Sequence, residues 1–174
     1  MTFTRARALI LVGVLAVAAI VVVLVAVVRD SQAGASASGC PEGAPVAHLK
    51  LPKGPKEVTV KVLNGTKTPG RAKDISAEFA NREFKVQKSA ENRKRFDGVA
   101  VLRYGPEAVG AAQLVQAYFL GEGTRAYEPK RKGAVVDVVI GARFRQLGTT
   151  TEVKQSLGLL GEATLPPGAC EAKA

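Results

Sequence analysis

The sequence predicts an α/β chain of the α+β sandwich type. The expected fold is a mainly antiparallel sheet with two helices on one face, in βαββαβ-like order, preceded by one transmembrane helix. Three observations predict it. Residues 8–28 hold only Ala, Val, Leu, Ile and one Gly. Further on, apolar residues alternate with polar ones at period 2 in several short segments, as half-buried strands require. Between those segments lie two stretches whose apolar residues recur at helical spacing.

The run from Ala8 to Val28 comes first. At a rise of ~1.5 Å per residue it spans roughly the ~30 Å core of a bilayer. A cleavable signal is the alternative, since Ala33-Gly34-Ala35 and Ala35-Ser36-Ala37 are small-residue patterns. Signal apolar regions, however, usually have ~7–15 residues, and Arg29-Asp30 intervenes here. Lipidation of Cys40 would call for a Leu three residues earlier and an adjoining apolar run, and both are missing. Arg5 and Arg7 lie in the short tail before the run, whereas Arg29 beyond it is offset by Asp30. The positive-inside rule then keeps residues 1–7 in the cytoplasm and puts everything after Asp30 outside.

Residues 29–56 are rich in Ala, Gly, Ser, Pro and Lys without periodicity and read as a flexible tether. Cys40 and Cys170 bracket the soluble part. Two cysteines with His48 make a poor metal set. In an oxidising compartment one internal disulfide is expected, with free thiols or pairing between chains as the alternatives. A thiol count on denatured protein, before and after reduction, separates them.

In the domain, residues 57–147, Val58, Val60 and Val62 alternate with Thr59 and Lys61, and Asn64-Gly65 ends this strand. Pro69-Gly70 starts a helix with Ala72, Ile75 and Phe79 on one face. Phe84 and Val86 mark a second strand, and Val99 to Leu102, apolar on both faces, a central third. The polar residues Asn92 to Asp97 read as a hairpin loop between them. A second helix runs from Pro106 to about Leu120, with Ala108, Ala112, Val115 and Phe119 inward and Gly110, Gln113 and Gln116 outward; Pro fits its first turn. Strands follow at Thr124 to Glu128 and Val135 to Ile140. Residues 148–174 are expected as a weak helix, Thr150 to Leu160, and a tail.

The segment Val58-Thr59-Val60-Lys61-Val62-Leu63-Asn64-Gly65-Thr66 carries a resemblance, together with Pro69-Gly70-Arg71-Ala72, Phe84-Lys85-Val86, and Val138-Val139-Ile140-Gly141 with Phe144. These residues, from Glu57 to Arg145, resemble the LytR C-terminal domain. The anchor and Ala/Val/Arg-rich composition are similar to those of actinobacterial members that stand alone after one membrane helix. Glu83-Phe84 departs from the family's usual Gly-Phe, so the left-handed glycine cap is missing and a different turn is expected there. The resemblance implies a cell-envelope role through contact with wall glycan or wall-building proteins. It implies no chemistry, because in catalytic relatives the reactive site belongs to another domain.

Charge gives the candidate sites. Past Asp30 there are 22 Lys/Arg against 14 Asp/Glu, densest at Arg93-Lys94-Arg95 and Lys130-Arg131-Lys132, both in expected connections. Such clusters suit an anionic polymer or lipid headgroup, or are solvated loop charge. The Asn64-Gly65-Thr66 step either presents backbone N–H groups to an anion or is a turn in which Asn-Gly permits positive φ and Thr66 or Thr68 bonds the backbone. No catalytic, cofactor or metal residues are expected: His48 is the one histidine and lies in the tether, and no Ser-His-Asp or Cys-His arrangement is supported. Nucleic acid is excluded, since Tyr104 is the one aromatic of the third strand and the compartment is wrong. Partners are then the membrane and a wall polymer or envelope protein, with oligomeric state left open.

Overall fold

The computed structural model describes residue 13, residues 16–20 and residues 40–172. The chain divides into two units, 1–42 and 43–174. In the first, Gly13 and residues 16–20 are helical, with Val17 and Ile20 exposed. Most of the expected membrane span and the tether up to residue 39 lie outside the described residues. Among the described residues no helix is long and apolar enough to cross a membrane.

The second unit is built on a sheet. Its strands are β1 (Val46–Ala47), β2 (Thr59–Asn64), β3 (Lys85–Glu91), β4 (Ala100–Tyr104), β5 (Gly123–Tyr127), β6 (Val135–Ile140) and β7 (Cys170–Glu171). Its helices are α1 (Arg71–Asn81), α2 (Val109–Tyr118) and α3 (Thr150–Leu160). Five strands form the main sheet in the order β3-β2-β6-β4-β5. The mixed α/β class is as expected, but the strand directions are not: β2–β3, β2–β6 and β4–β5 are parallel, and β4–β6 alone is antiparallel.

Connectivity explains the correction. Each of α1 and α2 joins a parallel pair, giving two βαβ units that point in opposite directions on either side of β6. Right-handed crossovers, the rule for such units, then put both helices on one face. There Phe79 of α1 meets Phe119 at 6.2 Å between centroids, beyond the end of α2, and Phe84 meets Tyr118 at 4.9 Å. Val60, Val62, Leu102, Val136, Val138 and Ile140 fill the core between sheet and helices. The strand at the centre is β6, not β4. Residues 92–98 are no hairpin: they cross the ends of β2 and β6 to reach β4, with Phe96 N–H donating to the Gly65 carbonyl and Ala142 N–H to the Phe96 carbonyl, each 2.9 Å.

The helix ends follow from local rules. At the end of α1, Glu83 takes φ 67°, Glu83 N–H bonds to the Ala80 carbonyl at 2.9 Å and Phe84 N–H to the Phe79 carbonyl at 3.1 Å. This is a Schellman motif, so the expected different turn is wrong: glutamate holds the left-handed position. Helix α3 opens with a capping box between Thr149 and Glu152.

The supposed tether and tail are in part ordered. Ala47 is fully buried, β1 pairs in parallel with β7, and His48 N–H bonds to the Pro106 carbonyl at 2.9 Å. Gly110 N–H in turn donates to the His48 carbonyl at 3.0 Å, and a Cβ on Gly110 would sit 2.1 Å from the Lys50 carbonyl oxygen. Gly110 and Gln113, read as outward, are thus buried under this strap and α3. The Gln113 amide donates to the Gly161 carbonyl at 3.0 Å and accepts from Arg125 at 2.9 Å. Both cysteines are disulfide-bonded, and with two in the chain the bridge is Cys40–Cys170.

Candidate functional site

Where β2 ends, the chain turns into α1 over the C-terminal edge of the sheet. Asn64, only 2 % exposed, organises the turn. Its Oδ1 accepts from the Thr66 N–H at 3.0 Å and the Thr66 hydroxyl at 2.8 Å, while its Nδ2 donates to the Thr68 carbonyl at 2.9 Å and to Glu91 Oε1 at 3.2 Å. All its polar capacity is spent inside the fold. Gly65 does not take positive φ. Its N–H continues the ladder to the Ile140 carbonyl at 2.9 Å, and a Cβ would stand 2.6 Å from that oxygen. Close approach is why glycine sits there; the left-handed residue is Gly70, φ 79°, which opens α1 without a side-chain cap.

The loop from β3 brings Arg95 to this turn, where its guanidinium donates to the Thr66 carbonyl. From below, Arg71 in the first turn of α1 donates to the Phe144 carbonyl at 3.2 Å and lies over the Phe144 ring at 5.6 Å. Between them is a cleft of about 420 Å³ lined by residues 65–68, Arg71, Arg95, Asp97, Gly141, Ala142 and Phe144. Lys67, Arg71 and Arg95 face one carboxylate, Asp97. None of the three is in an ion pair among the described residues; the two arginines are oriented by carbonyl oxygens, which fix their direction without cancelling their charge.

The structure therefore joins two of the sequence-predicted groups and separates the third. Asn64, Gly65, Thr66 and Arg95 meet at the cleft, with Asn64 as its scaffold. Arg93 and Lys94 are exposed on the same loop but do not line it. Lys130, Arg131 and Lys132 lie between β5 and β6, at the opposite end of the sheet. There Arg131 bridges Asp137 at 2.8 Å and Glu128 at 3.3 Å. Burial alone would lower the Arg131 guanidinium, but hydrogen bonds and charge from Asp137, then Glu128, outweigh it and hold the group above its ordinary value. Lys130 and Lys132 stay exposed.

Sequence reasoning missed Lys67, Arg71 and Phe144 as site residues. One signal was present for Arg71: a cation in the first turn opposes the helix dipole, and residues placed against local preference tend to mark functional positions. His48 stands exposed on the strap, and among the described residues no group of three or more His, Cys, Asp or Glu could hold a metal.

Against known proteins, the profile of one family, described as LytR cell envelope-related transcriptional attenuator, LytR_C, matches residues 57–144, half of the chain. No curated protein matches. A similar solved structure is the soluble domain of a conserved hypothetical secreted protein from Mycobacterium marinum. It has 24 % identity over 72 % of this chain and 82 % of that one, with a TM-score of 0.52. At that identity the likeness shows the fold alone.

Proposed function

The chain belongs to the LytR_C family of cell-envelope-related domains, and from that premise we propose a non-catalytic, membrane-anchored envelope module that binds an anionic wall polymer. The cleft between the β2–α1 turn and the crossing loop is its binding site. The observation that supports this is the excess of three cations, Lys67, Arg71 and Arg95, over one carboxylate, Asp97, in the cleft, with two of the cations aimed by backbone carbonyls. An anion entering supplies the missing counter-charge, and the arginines need little reorganisation to receive it. The anchor reading rests on the apolar run 8–28 and its basic flank; the description of the similar mycobacterial protein as secreted supports an extracytoplasmic place. Retention of the full chain on purified wall sacculi tests the proposal. It weakens with salt, and Arg71→Ala and Arg95→Ala each cut it about tenfold, the scale of a lost hydrogen bond to a charged group.

A second reading, docking of an envelope protein, is favoured by the far face of the sheet. Sheets rich in parallel pairs are usually covered on both faces, yet here Lys61, Asp137 and Arg103 lie side by side in register, half-buried and away from the helices. Failure of sacculi to retain the chain even at low salt would favour this alternative.

A further inference from the structure

The strap and the cleft lie at opposite ends of the sheet. Strand β4 runs antiparallel to β6, so the Gly105–Pro106 turn that follows β4 sits at the starts of β2 and β6. The cleft is at the far ends of those strands, each of 6 residues, a separation of about 20 Å. His48 N–H bonds to the Pro106 carbonyl at 2.9 Å, and β1 pairs with β7 so that Val46 stands opposite Cys170. The β5–β6 loop adjoins this end: Gly133 N–H donates to Glu107 Oε1 at 3.1 Å, and a Cβ on Gly105 would strike the Arg131 carbonyl. Two large apolar side chains stand out from the strap, Val46 at 51 % and Leu51 at 43 % exposure. Lys50, Lys53, Lys130 and Lys132 are exposed at the same end and in no ion pair among the described residues. Glu57, Glu107 and Glu171 are exposed there too, so the apolar pair rather than net charge marks this surface. Residues 29–39 join the apolar run to Cys40 and reach at most about 40 Å at full extension. The bridge from Cys40 to Cys170 fastens their end to β7, beside Val46.

Resting on the anchor reading above, we propose that the strap end of the domain lies on the lipid bilayer, with Val46 and Leu51 entering its headgroup region, and that the cleft opens away from it. The occupant follows from the chain itself, because the segment that leaves the membrane is fastened to the domain beside Val46 and is too short to carry that end far off. A bilayer surface also suits the side chains. Apolar groups enter the acyl boundary, while lysines lay their stems along it and keep their ammonium groups at the lipid phosphates. In this orientation the cleft stands one strand length farther out. Its anion then belongs to a polymer standing off the membrane, not to a lipid headgroup.

Amide NMR of the full chain in phosphatidylcholine nanodiscs, with a gadolinium chelate on a fraction of the headgroups, tests this. Signals of residues 46–53 and 130–133 should lose most of their intensity, and those of residues 66–68, 95–97 and 142–144 should keep theirs. The double variant Val46→Asp with Leu51→Asp should make the loss even between the two ends, with cleft chemical shifts unchanged as the check that the domain is folded. Even broadening in the unmodified chain, stronger broadening at the cleft, or a pattern that the double variant leaves as it was overturns the inference. If the chain stays with the discs in those cases, the anchor reading survives and the orientation alone falls. If the chain separates from the discs on gel filtration, both fall.

Discussion

Arg71 lies over the Phe144 ring at 5.6 Å while donating to the carbonyl of the same residue at 3.2 Å. The pairing ties the first turn of α1 to the segment after β6 and aims a guanidinium into the cleft. Lysine keeps the charge but has neither the planar fork nor the stacking face. Arg71→Lys should therefore retain salt-dependent binding to sacculi at reduced strength, between the unmodified chain and Arg71→Ala. Equal binding by Lys and Ala would show that charge at this position does not contribute.

Arg131 should behave in the opposite way. It belongs to a basic triplet in the sequence, yet its charge is committed to Asp137 and Glu128. Arg131→Ala strands a carboxylate that is only 15 % exposed, at a cost of about 1–3 kcal/mol in stability. Denaturant unfolding should register that loss while sacculus binding holds.

These two arginines show where the sequence could be read and where it could not. Alternation and helical spacing located nearly every element, and β6 and α3 fall on the expected residues, Val135–Ile140 and Thr150–Leu160. Pairing was not legible, because the same alternation serves a parallel or an antiparallel neighbour. The choice was made by the α1 and α2 crossovers, and the polar stretch 92–98 looks the same as a hairpin or as a crossing loop. Gly110 and Gln113 look like solvent-facing helix positions; only the strap at His48–Lys50 and the end of α3 bury them. The cleft was half legible: Arg95 and the Asn64–Thr66 turn stood out, but their meeting with Arg71, 24 residues along from Arg95, depends on sheet order.

At Glu83 the fold holds a non-glycine residue at φ 67°, a conformation that costs an L-residue about 1 kcal/mol or more. The Lys56–Glu83 pair, 3.0 Å and largely exposed, gives little back. Glu83→Gly should raise stability by roughly 0.5–1 kcal/mol, seen as a higher unfolding midpoint; a lower midpoint would mean the ion pair matters more than the backbone.

The α3 cap adds a pH dependence. Hydrogen bonds from the Thr149 backbone N–H, then its side chain, hold the Glu152 carboxyl below its ordinary value. A carboxyl lowered on folding contributes stability that is present above the ordinary carboxylate range and is lost as pH falls through the depressed value. Glu152→Gln should accordingly flatten the acid limb of the stability profile, and Thr149→Ala should cost about 1 kcal/mol near neutral pH. An unchanged acid limb in Glu152→Gln would exclude this carboxyl as a contributor.

Hydrogen exchange of the full chain, read by mass spectrometry with and without solubilised wall polymer, tests the central claim most directly. The account predicts slower exchange in segments 65–71, 95–98 and 141–144, reversed by salt and missing in Arg71→Ala. Protection confined to 129–133, or to the far-face strands with the cleft unaffected, would contradict it.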